Sequence, residues 1–184
     1  MGYGQIQKRS AVIRVPLLLI LSCLTLLGCD SKKYEWDSDI FVPYIQTVCF
    51  KETGKRLPKW EAYKIVLAVK TRCDNGLQVL KVLACIEEES KFNCGVVGDD
   101  GNSLGLMQVQ WRYRRHIAKE VLRLDTSTNI REGVKYLRAV GWNPAAYNAG
   151  KAGAKRGKGK PHAIKVKGAE ERILKWISSK DFGR

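Results

Sequence analysis

Three consecutive glutamates, Glu87 to Glu89, end a stretch of the sequence with helical periodicity. Three acidic residues at a helix end often form a solvated face, but the spacing here separates them. Ile86 and Cys85, three and four positions before Glu89, continue the apolar face, so we expect Glu89 to point inward and the other two toward solvent or a groove wall. Burial and the negative end of the helix dipole both raise the pKa of such a carboxyl. Glu89 is therefore a candidate general acid.

Two further segments carry groups suited to binding a polar substrate. In residues 103–108, which begin with Ser103, Gly105 allows a close backbone approach, Met107 offers an adaptable apolar contact, and Gln108 offers an amide. Residues 145–150 place a tyrosine hydroxyl beside an amide just before a glycine. Taken alone, the first segment also fits a loop that enters a buried helix, and the second fits a helix C-terminus.

The elements that must position these segments are predicted to be helices. Apolar spacing, capping residues and glycine stops predict helices at residues 40–53, 60–72, 77–89, 129–140 and 144–148. The 129–140 helix is expected to start at a capping box that begins with Asn129. The glycine-rich stretch 93–103 predicts a loop or a short irregular sheet, and residues 104–122 are expected to be helical in pieces.

A different pattern follows near the C-terminus. Five lysines and arginines between residues 151 and 160 alternate with three glycines. This composition predicts a flexible basic loop, assigned to residues 151–167. Residues 168–184 are then expected to form a last amphipathic helix that packs on the domain.

Taken together, these motifs resemble the soluble lytic transglycosylase domain family of bacterial cell-wall enzymes. The resemblance covers about residues 60–150 and rests on the order of Glu89-Ser90-Lys91-Phe92, Gly105-Leu106-Met107-Gln108, the stretch from Asn129 to Tyr136-Leu137, and Ala146-Tyr147-Asn148-Ala149-Gly150. It implies a lysozyme-like, mainly α-helical fold with at most a small irregular β segment. We expect this fold to form a single compact domain at residues 39–150.

The resemblance also implies an activity, which is cleavage of the β-1,4 bond between N-acetylmuramic acid and N-acetylglucosamine in peptidoglycan. In the family, one glutamate acts as acid and then as base, and the product carries a 1,6-anhydro ring instead of an added water. Glu89 matches that glutamate, and the family uses no cofactor or metal. The residues expected to shape the site or bind substrate are Ser90, Ser103, Met107, Gln108, Tyr147 and Asn148.

Two alternatives remain open at this stage. Hydrolysis of a glycoside needs a second carboxyl group across the bond, and Asp99, Asp100 or Asp125 could supply it in a muramidase of the same fold. A non-catalytic envelope-binding or assembly protein would retain the substrate-binding groove but would not cleave the glycan. The segment 98–103 also departs from the family pattern, because Asn102 stands where most members have a small residue.

The N-terminus is typical of an export signal. Basic residues precede an apolar run at residues 15–27, and Leu26-Leu27-Gly28-Cys29 resembles a lipoprotein cleavage motif. We expect residues 1–28 to be removed, Cys29 to carry lipid, and residues 29–38 to form a tether. Asp30 favours retention at the inner membrane, with the outer membrane as the alternative, and either anchor would place the domain on the periplasmic side of the envelope. An uncleaved anchor or a plain secretory signal is the alternative.

Besides the lipid site Cys29, four cysteines remain in the exported part: Cys49, Cys73, Cys85 and Cys94. In an oxidising compartment they suggest two disulfides, and the pairing expected here is Cys85–Cys94 with Cys49–Cys73. Their spacing does not form a paired zinc-binding pattern, so no metal site is expected.

Length and charge define the class of partner. The chain has 184 residues, enough for one domain, and 33 lysines and arginines against 18 acidic residues give a net charge of +15. We expect anionic partners: stem-peptide carboxylates of peptidoglycan and phospholipid headgroups. Nucleic acid is not expected, because the export signal opposes it. The small size suggests service to an envelope-spanning secretion or conjugation machine.

Overall fold

The computed structural model describes residues 38–181 and has seven α-helices and one small sheet in that range. The helices are α1 Ser38–Thr53, α2 Lys59–Lys70, α3 Gly76–Ser90, α4 Lys119–Leu124, α5 Thr126–Ala139, α6 Pro144–Lys155 and α7 Lys160–Asp181. The mainly α-helical, single-domain prediction is confirmed. The predicted signal peptide and Cys29 lie outside the described residues. Between residues 38 and 181, each helix is too short or too polar to cross a bilayer.

Side-chain caps set the starts of the helices around the site. Asn75 caps α3, Asp125 caps α5 and Asn143 caps α6, each by accepting a hydrogen bond from a backbone N–H of the first turn. The start of α3 and that of α6 lie close to the predicted positions. The predicted capping box at Asn129 is wrong, because Asp125 already caps the helix and Asn129 lies inside it.

Helix α3 is the central element of the core. It packs mainly against α7, while α1 packs on α2, and α2 packs on α5. Its residues Val82, Ala84, Cys85 and Ile86 are completely buried. Burying one large aliphatic side chain contributes about 1.5–3 kcal/mol. The helix that ends at Glu89 is therefore held rigidly along most of its length.

A three-stranded antiparallel sheet follows α3, with β1 at Val97–Gly98, β2 at Ser103–Leu104 and β3 at Val109–Gln110. β1 and β3 both pair with β2. The sheet agrees with the short irregular sheet expected after residue 93.

The helical pieces expected at residues 104–122 are mostly absent from the described structure. Apart from a 3₁₀ turn at Trp111–Tyr113, helix begins only at α4. Gly105 has φ 71° and Gln108 has φ 45°, left-handed conformations that an α-helix does not contain. The segment turns back on itself to form β3 instead.

Asn129 ties this segment to the helices. Its side chain is completely buried and its Oδ1 accepts a 2.8 Å hydrogen bond from the Met107 N–H. Its Nδ2 donates to the carbonyls of Leu104 at 2.8 Å and Leu122 at 2.7 Å. These three bonds satisfy backbone groups in β2, in the β2–β3 loop and in α4, which gives the residue a structural role.

The basic loop predicted at residues 151–167 is largely wrong. Gly150 kinks α6 (φ 70°, ψ 161°), which agrees with the predicted end of the short helix, but residues 151–155 continue as a helical turn. After a turn at 156–159, α7 begins at Lys160 rather than at residue 168. Lysine and arginine are good helix formers, and Val166 and Ala169 bury one face of α7.

All four cysteines of the described chain are free thiols, so the predicted disulfides are not formed. Cys85 is completely buried, and the charged groups that act on it are Glu89 and Lys81 of α3 and Glu170 of α7. The groups that act on Cys94 include Glu61 of α2 and Cys49 of α1. The two sulfurs of the predicted Cys85–Cys94 pair therefore lie in different surroundings.

Candidate active site

A cleft of about 650 Å³ runs past the end of α3. Its walls come from α3, the small sheet, the turn after β3, α5 and α6. Of the residues predicted for the site, the structure brings five together along this cleft: Glu89, Ser103, Gln108, Tyr147 and Asn148.

Glu89 is the last residue but one of α3, and its side chain is 15% exposed. Burial, and then the negative charges of Asp99 and Glu88, raise the pKa of Glu89 from 4.5 to about 7. Glu89 reaches the cleft, but it is the most exposed of the three glutamates, because the side chains of Glu87 and Glu88 are only 3% and 9% exposed. At neutral pH a large fraction of Glu89 carries its proton, as a general acid must.

Tyr147 lies across the cleft on α6 and is fixed at both ends. Its hydroxyl donates a 2.7 Å hydrogen bond to the carbonyl of Met107, and its ring centroid is 5.4 Å from that of Tyr136. Burial, with a further contribution from Glu89, raises the pKa of Tyr147 well above 10. The side chain is therefore an uncharged hydroxyl beside Glu89.

The lip of the cleft contains a second carboxyl group. Asp99 and Asp100 have positive φ angles of 48° and 51°, in the turn between β1 and β2. Asp99 accepts a hydrogen bond from the Ser103 hydroxyl and lines the cleft with Glu89. Asp125 is at the N-cap of α5, where its carboxylate accepts from the Thr128 N–H at 2.7 Å, so of the three candidates only Asp99 lines this cleft.

Two predicted site residues lie elsewhere. The Met107 side chain is completely buried against Gly133, where even an added Cβ would overlap it. Its predicted contact with sugar is therefore wrong, although its carbonyl holds Tyr147. Ser90 is also buried, and its hydroxyl donates to the Ile86 carbonyl at 3.1 Å within α3.

Gln108 supports the loop as well as lining the cleft. Its Nε2 donates to the Gly105 carbonyl at 2.9 Å and to the Val96 carbonyl at 3.3 Å. These bonds hold the left-handed turn before β3 in place.

Glu87 and Glu88 were predicted to face solvent or a groove wall, but both bind side chains of neighbouring helices instead. Glu87 is only 3% exposed and accepts hydrogen bonds from the Tyr44 hydroxyl at 2.6 Å and from Arg172 Nε at 2.8 Å. Glu88 binds Arg172 at 2.6 Å and Lys91 at 3.2 Å. Because a buried carboxylate needs such partners, these contacts explain how both residues remain largely covered.

The structure adds site residues that the sequence reading missed. Arg112 and Arg114 line the cleft, and Arg114 Nε also bonds Glu132 at 2.8 Å. His162, near the start of α7, brings Nε2 to 3.4 Å from Glu89 Oε1. The basic run after Trp111 was a visible signal for the arginines, whereas no local pattern marks His162. In the part of the chain that the structure describes, no three histidine, cysteine or acidic side chains cluster as a metal site would require.

Comparison with known proteins gives one match. The family model described as "Transglycosylase SLT domain" matches residues 67–167, more than half of the chain. The matched range contains Glu89, the cleft residues and His162. No curated protein and no solved structure matches the chain.

Proposed function

Since the chain belongs to the transglycosylase SLT domain family, we propose that it is a peptidoglycan lytic transglycosylase in which Glu89 is the catalytic acid and base. The observation that carries the proposal is the position of Glu89, a nearly buried carboxyl at the end of α3 that faces a cleft and has a pKa raised to about 7. Such a group can both give and take a proton near neutral pH.

In the first step, protonated Glu89 donates its proton to the oxygen that bridges the two sugars. The bond from this oxygen to C1 of N-acetylmuramic acid breaks, and the N-acetylglucosamine end leaves with the proton. The carbonyl oxygen of the muramic acid N-acetyl group forms a bond to C1, so a second carboxylate is not needed there. Burial of Glu89 keeps the carboxyl protonated in the free enzyme, so the proton is present when the substrate binds.

In the second step, the Glu89 carboxylate takes the proton from the C6 hydroxyl of the same sugar. The oxygen at C6 bonds to C1, and the bond from the N-acetyl oxygen to C1 breaks. The product is a 1,6-anhydro ring, Glu89 is protonated again, and no water has entered. The raised pKa of Glu89 helps it to recover the proton.

Other cleft residues have supporting roles in this proposal. The Tyr147 hydroxyl, tied to the Met107 carbonyl, fixes the wall beside Glu89, and the Asn148 amide offers hydrogen bonds to sugar hydroxyls and N-acetyl groups. Arg112, held by Gln110 Oε1 at 2.7 Å and 3.0 Å, gives the cleft a cationic wall. That wall suits the carboxylates of peptide stems.

The test is digestion of purified cell-wall sacculi with wild type and Glu89→Gln, followed by mass analysis of the released muropeptides. We expect wild type to release products with anhydro-muramyl ends and Glu89→Gln to lose activity by about 10²- to 10⁴-fold, the usual range for a general acid. Glu120→Gln, at a side chain 66% exposed on α4, is the control and should match wild type. Equal rates for Glu89→Gln and wild type would refute the role of Glu89.

Asp99 supports one second candidate function, hydrolysis by a muramidase, because it shares the cleft with Glu89. The variant Asp99→Asn separates the two. For a transglycosylase, removing this charge lowers the pKa of Glu89 and moves the alkaline limit of activity to lower pH while the anhydro product persists. For a muramidase, the wild-type product has reducing muramyl ends and Asp99→Asn is inactive.

We also propose that the enzyme is exported and anchored by lipid at Cys29 on the periplasmic side of the envelope. The support is the sequence alone: the basic residues before an apolar run and the Gly28-Cys29 pair. Cys29→Ala should shift the protein from the membrane fraction to the soluble or unprocessed fraction. An unchanged membrane fraction of fully processed length would contradict lipidation.

A further inference from the structure

His162 lies against the Glu89 carboxyl. Its Nε2 is 3.4 Å from Glu89 Oε1, and the two side chains are 13% and 15% exposed. Nε2 itself is buried, and among residues 38–181 no group forms a hydrogen bond with it. A buried ring nitrogen with no other partner is unfavourable unless it interacts with the nearest polar atom, and that atom belongs to the proposed catalytic acid.

Helix α7 is fixed so that His162 stays in this position. Arg172 bonds Glu87 and Glu88, the two residues before Glu89, at 2.6–2.8 Å. Nearly two turns of α3 earlier, Lys81 bonds Glu170 at 3.0 Å. These ion pairs join α7 to the same helix end that carries Glu89, so the distance between His162 and Glu89 is set by the packing of two helices rather than by a loop.

From this geometry, and on the basis of the function proposed above, we propose that His162 is a positioning residue that keeps the catalytic proton of Glu89 on the oxygen facing the substrate. In this proposal the imidazole is neutral, and its Nε2–H donates to Glu89 Oε1 once the 3.4 Å separation shortens to hydrogen-bonding distance. An oxygen that accepts this hydrogen bond is a poor site for the proton, so the proton resides on Oε2.

The same N–H serves both stages of the reaction. In the acid stage it orients the carboxyl group, and after the proton has moved to the bridging oxygen it stabilises the carboxylate that must act as the base. The histidine itself gives up no proton, so the balance of atoms in the reaction is unchanged. An amide N–H at the same place could donate the same hydrogen bond to Glu89, whereas an alkyl group could not.

The role requires the uncharged form of His162. Burial lowers the pKa of His162 below 6.5, and Lys165 lowers it further, whereas Glu88 raises it. A charged imidazolium would lie beside the sugar ring that becomes positively charged in the transition state, so activity should fall at pH values below this pKa. The titratable groups facing the pair from α3, α6, α7 and the β1–β2 turn are Cys85, Glu88, Asp99, Tyr147 and Lys165.

The experiment compares His162→Gln and His162→Leu by the pH dependence of sacculus digestion. We expect His162→Leu to lose about 10- to 100-fold in kcat with little change in KM, the loss typical when an orienting partner is removed. His162→Gln, which keeps an N–H but cannot titrate, should retain most of kcat and lose the acidic limb of the profile. His116→Gln, at an exposed histidine, is the control and should keep the wild-type profile.

Two results would overturn the proposal. One is a wild-type kcat and pH profile in His162→Leu. The other is a loss in His162→Gln as large as in His162→Leu while both variants keep the wild-type melting temperature, since the N–H would then not be the functional group. If wild type itself releases no anhydro-muropeptides, that result refutes the proposed function. It does not refute the assignment of His162, which the next measurement tests without activity.

A second measurement needs no activity. Nitrogen NMR of imidazole-labelled, full-length mature protein reports the tautomer and charge of each histidine. We expect His162 to be neutral at pH 7 with its proton on Nε2, and we expect its Nε2 signal to change in Glu89→Gln. A proton on Nδ1, or a charged ring at pH 7, would contradict the proposal even in an inactive enzyme.

Discussion

At the scale of the residue, Glu89 combines two properties that oppose each other. Its position over the core and near Asp99 makes it a usable acid, because both raise its pKa to about 7. The same position makes its charged form unfavourable in the folded protein. Stability is therefore lowered wherever Glu89 is ionised.

This conflict predicts that Glu89→Gln is more stable than wild type at alkaline pH. Between pH 4.5 and about 7 the folded state keeps the Glu89 proton while the unfolded chain has lost it, so wild-type stability falls as pH rises. The advantage of Glu89→Gln should be about 3 kcal/mol above pH 8, from a shift of about 2.5 pH units, and should vanish near pH 4.

Urea unfolding of both proteins from pH 4 to pH 9 measures this difference. Glu52→Gln, at an exposed residue of α1, is the control and should follow wild type at every pH. A constant difference between Glu89→Gln and wild type across the range would mean that Glu89 titrates as an ordinary solvent-exposed glutamate.

Single residues were predictable from the sequence where local spacing determines their direction. Glu89 was singled out because Ile86 and Cys85 lie on the same face of α3 one turn earlier, but the same spacing failed to predict that Glu87 is buried. Met107 was misread because its sequence neighbours suggest a loop, and only the fold reveals that Gly133 leaves room to bury it. His162 was missed because it reaches Glu89 through the packing of α7, which no local pattern encodes.

At the scale of the element, α7 holds the end of α3. Arg172 satisfies Glu87, which is buried, and Glu88, while Tyr44 from α1 completes the contacts of Glu87. Burial and the bond to Glu87 raise the pKa of Tyr44, which keeps it a hydroxyl donor. Three helices thus meet at the residues directly before Glu89.

Removing this contact should cost both stability and activity. We predict that Arg172→Leu lowers the free energy of unfolding by about 3 kcal/mol, the lower end for breaking a buried pair because the guanidinium is 51% exposed. It should also lower kcat, since α7 no longer fixes His162 against Glu89. Lys175→Leu, at an exposed position of α7, should change neither quantity. Equal stability of Arg172→Leu and wild type would remove the proposed role of this contact.

Elements were predictable where caps and apolar spacing agree, as at α1, α2, α3 and α6. Elements were misassigned where the local composition suggested a conformation that the tertiary packing overrides. The lysine- and glycine-rich stretch after residue 150 predicts a loop, but the apolar face of Val166, Ala169 and Ile173 extends α7 back to Lys160. The β2–β3 segment was misassigned because its conformation depends on Asn129, which lies far along the chain.

At the scale of the whole molecule, the proposal is that one acid in a cationic cleft cuts an anionic polymer without water. The net charge of +15 favours association with peptidoglycan, and Arg112 and Arg114 place part of that charge in the cleft. Family membership supports peptidoglycan as the substrate. The number of carboxyl groups that take part decides whether the reaction is transglycosylation or hydrolysis. Asp99 is the group on which this decision depends.

Digestion of sacculi in water labelled with heavy oxygen tests the central claim most directly. We predict that the new muramyl ends contain no label and are lighter by one water than the corresponding hydrolysed ends, because the C6 hydroxyl of the sugar replaces water. Reducing muramyl ends that carry one labelled oxygen each would contradict the account, since they would show that water is the nucleophile.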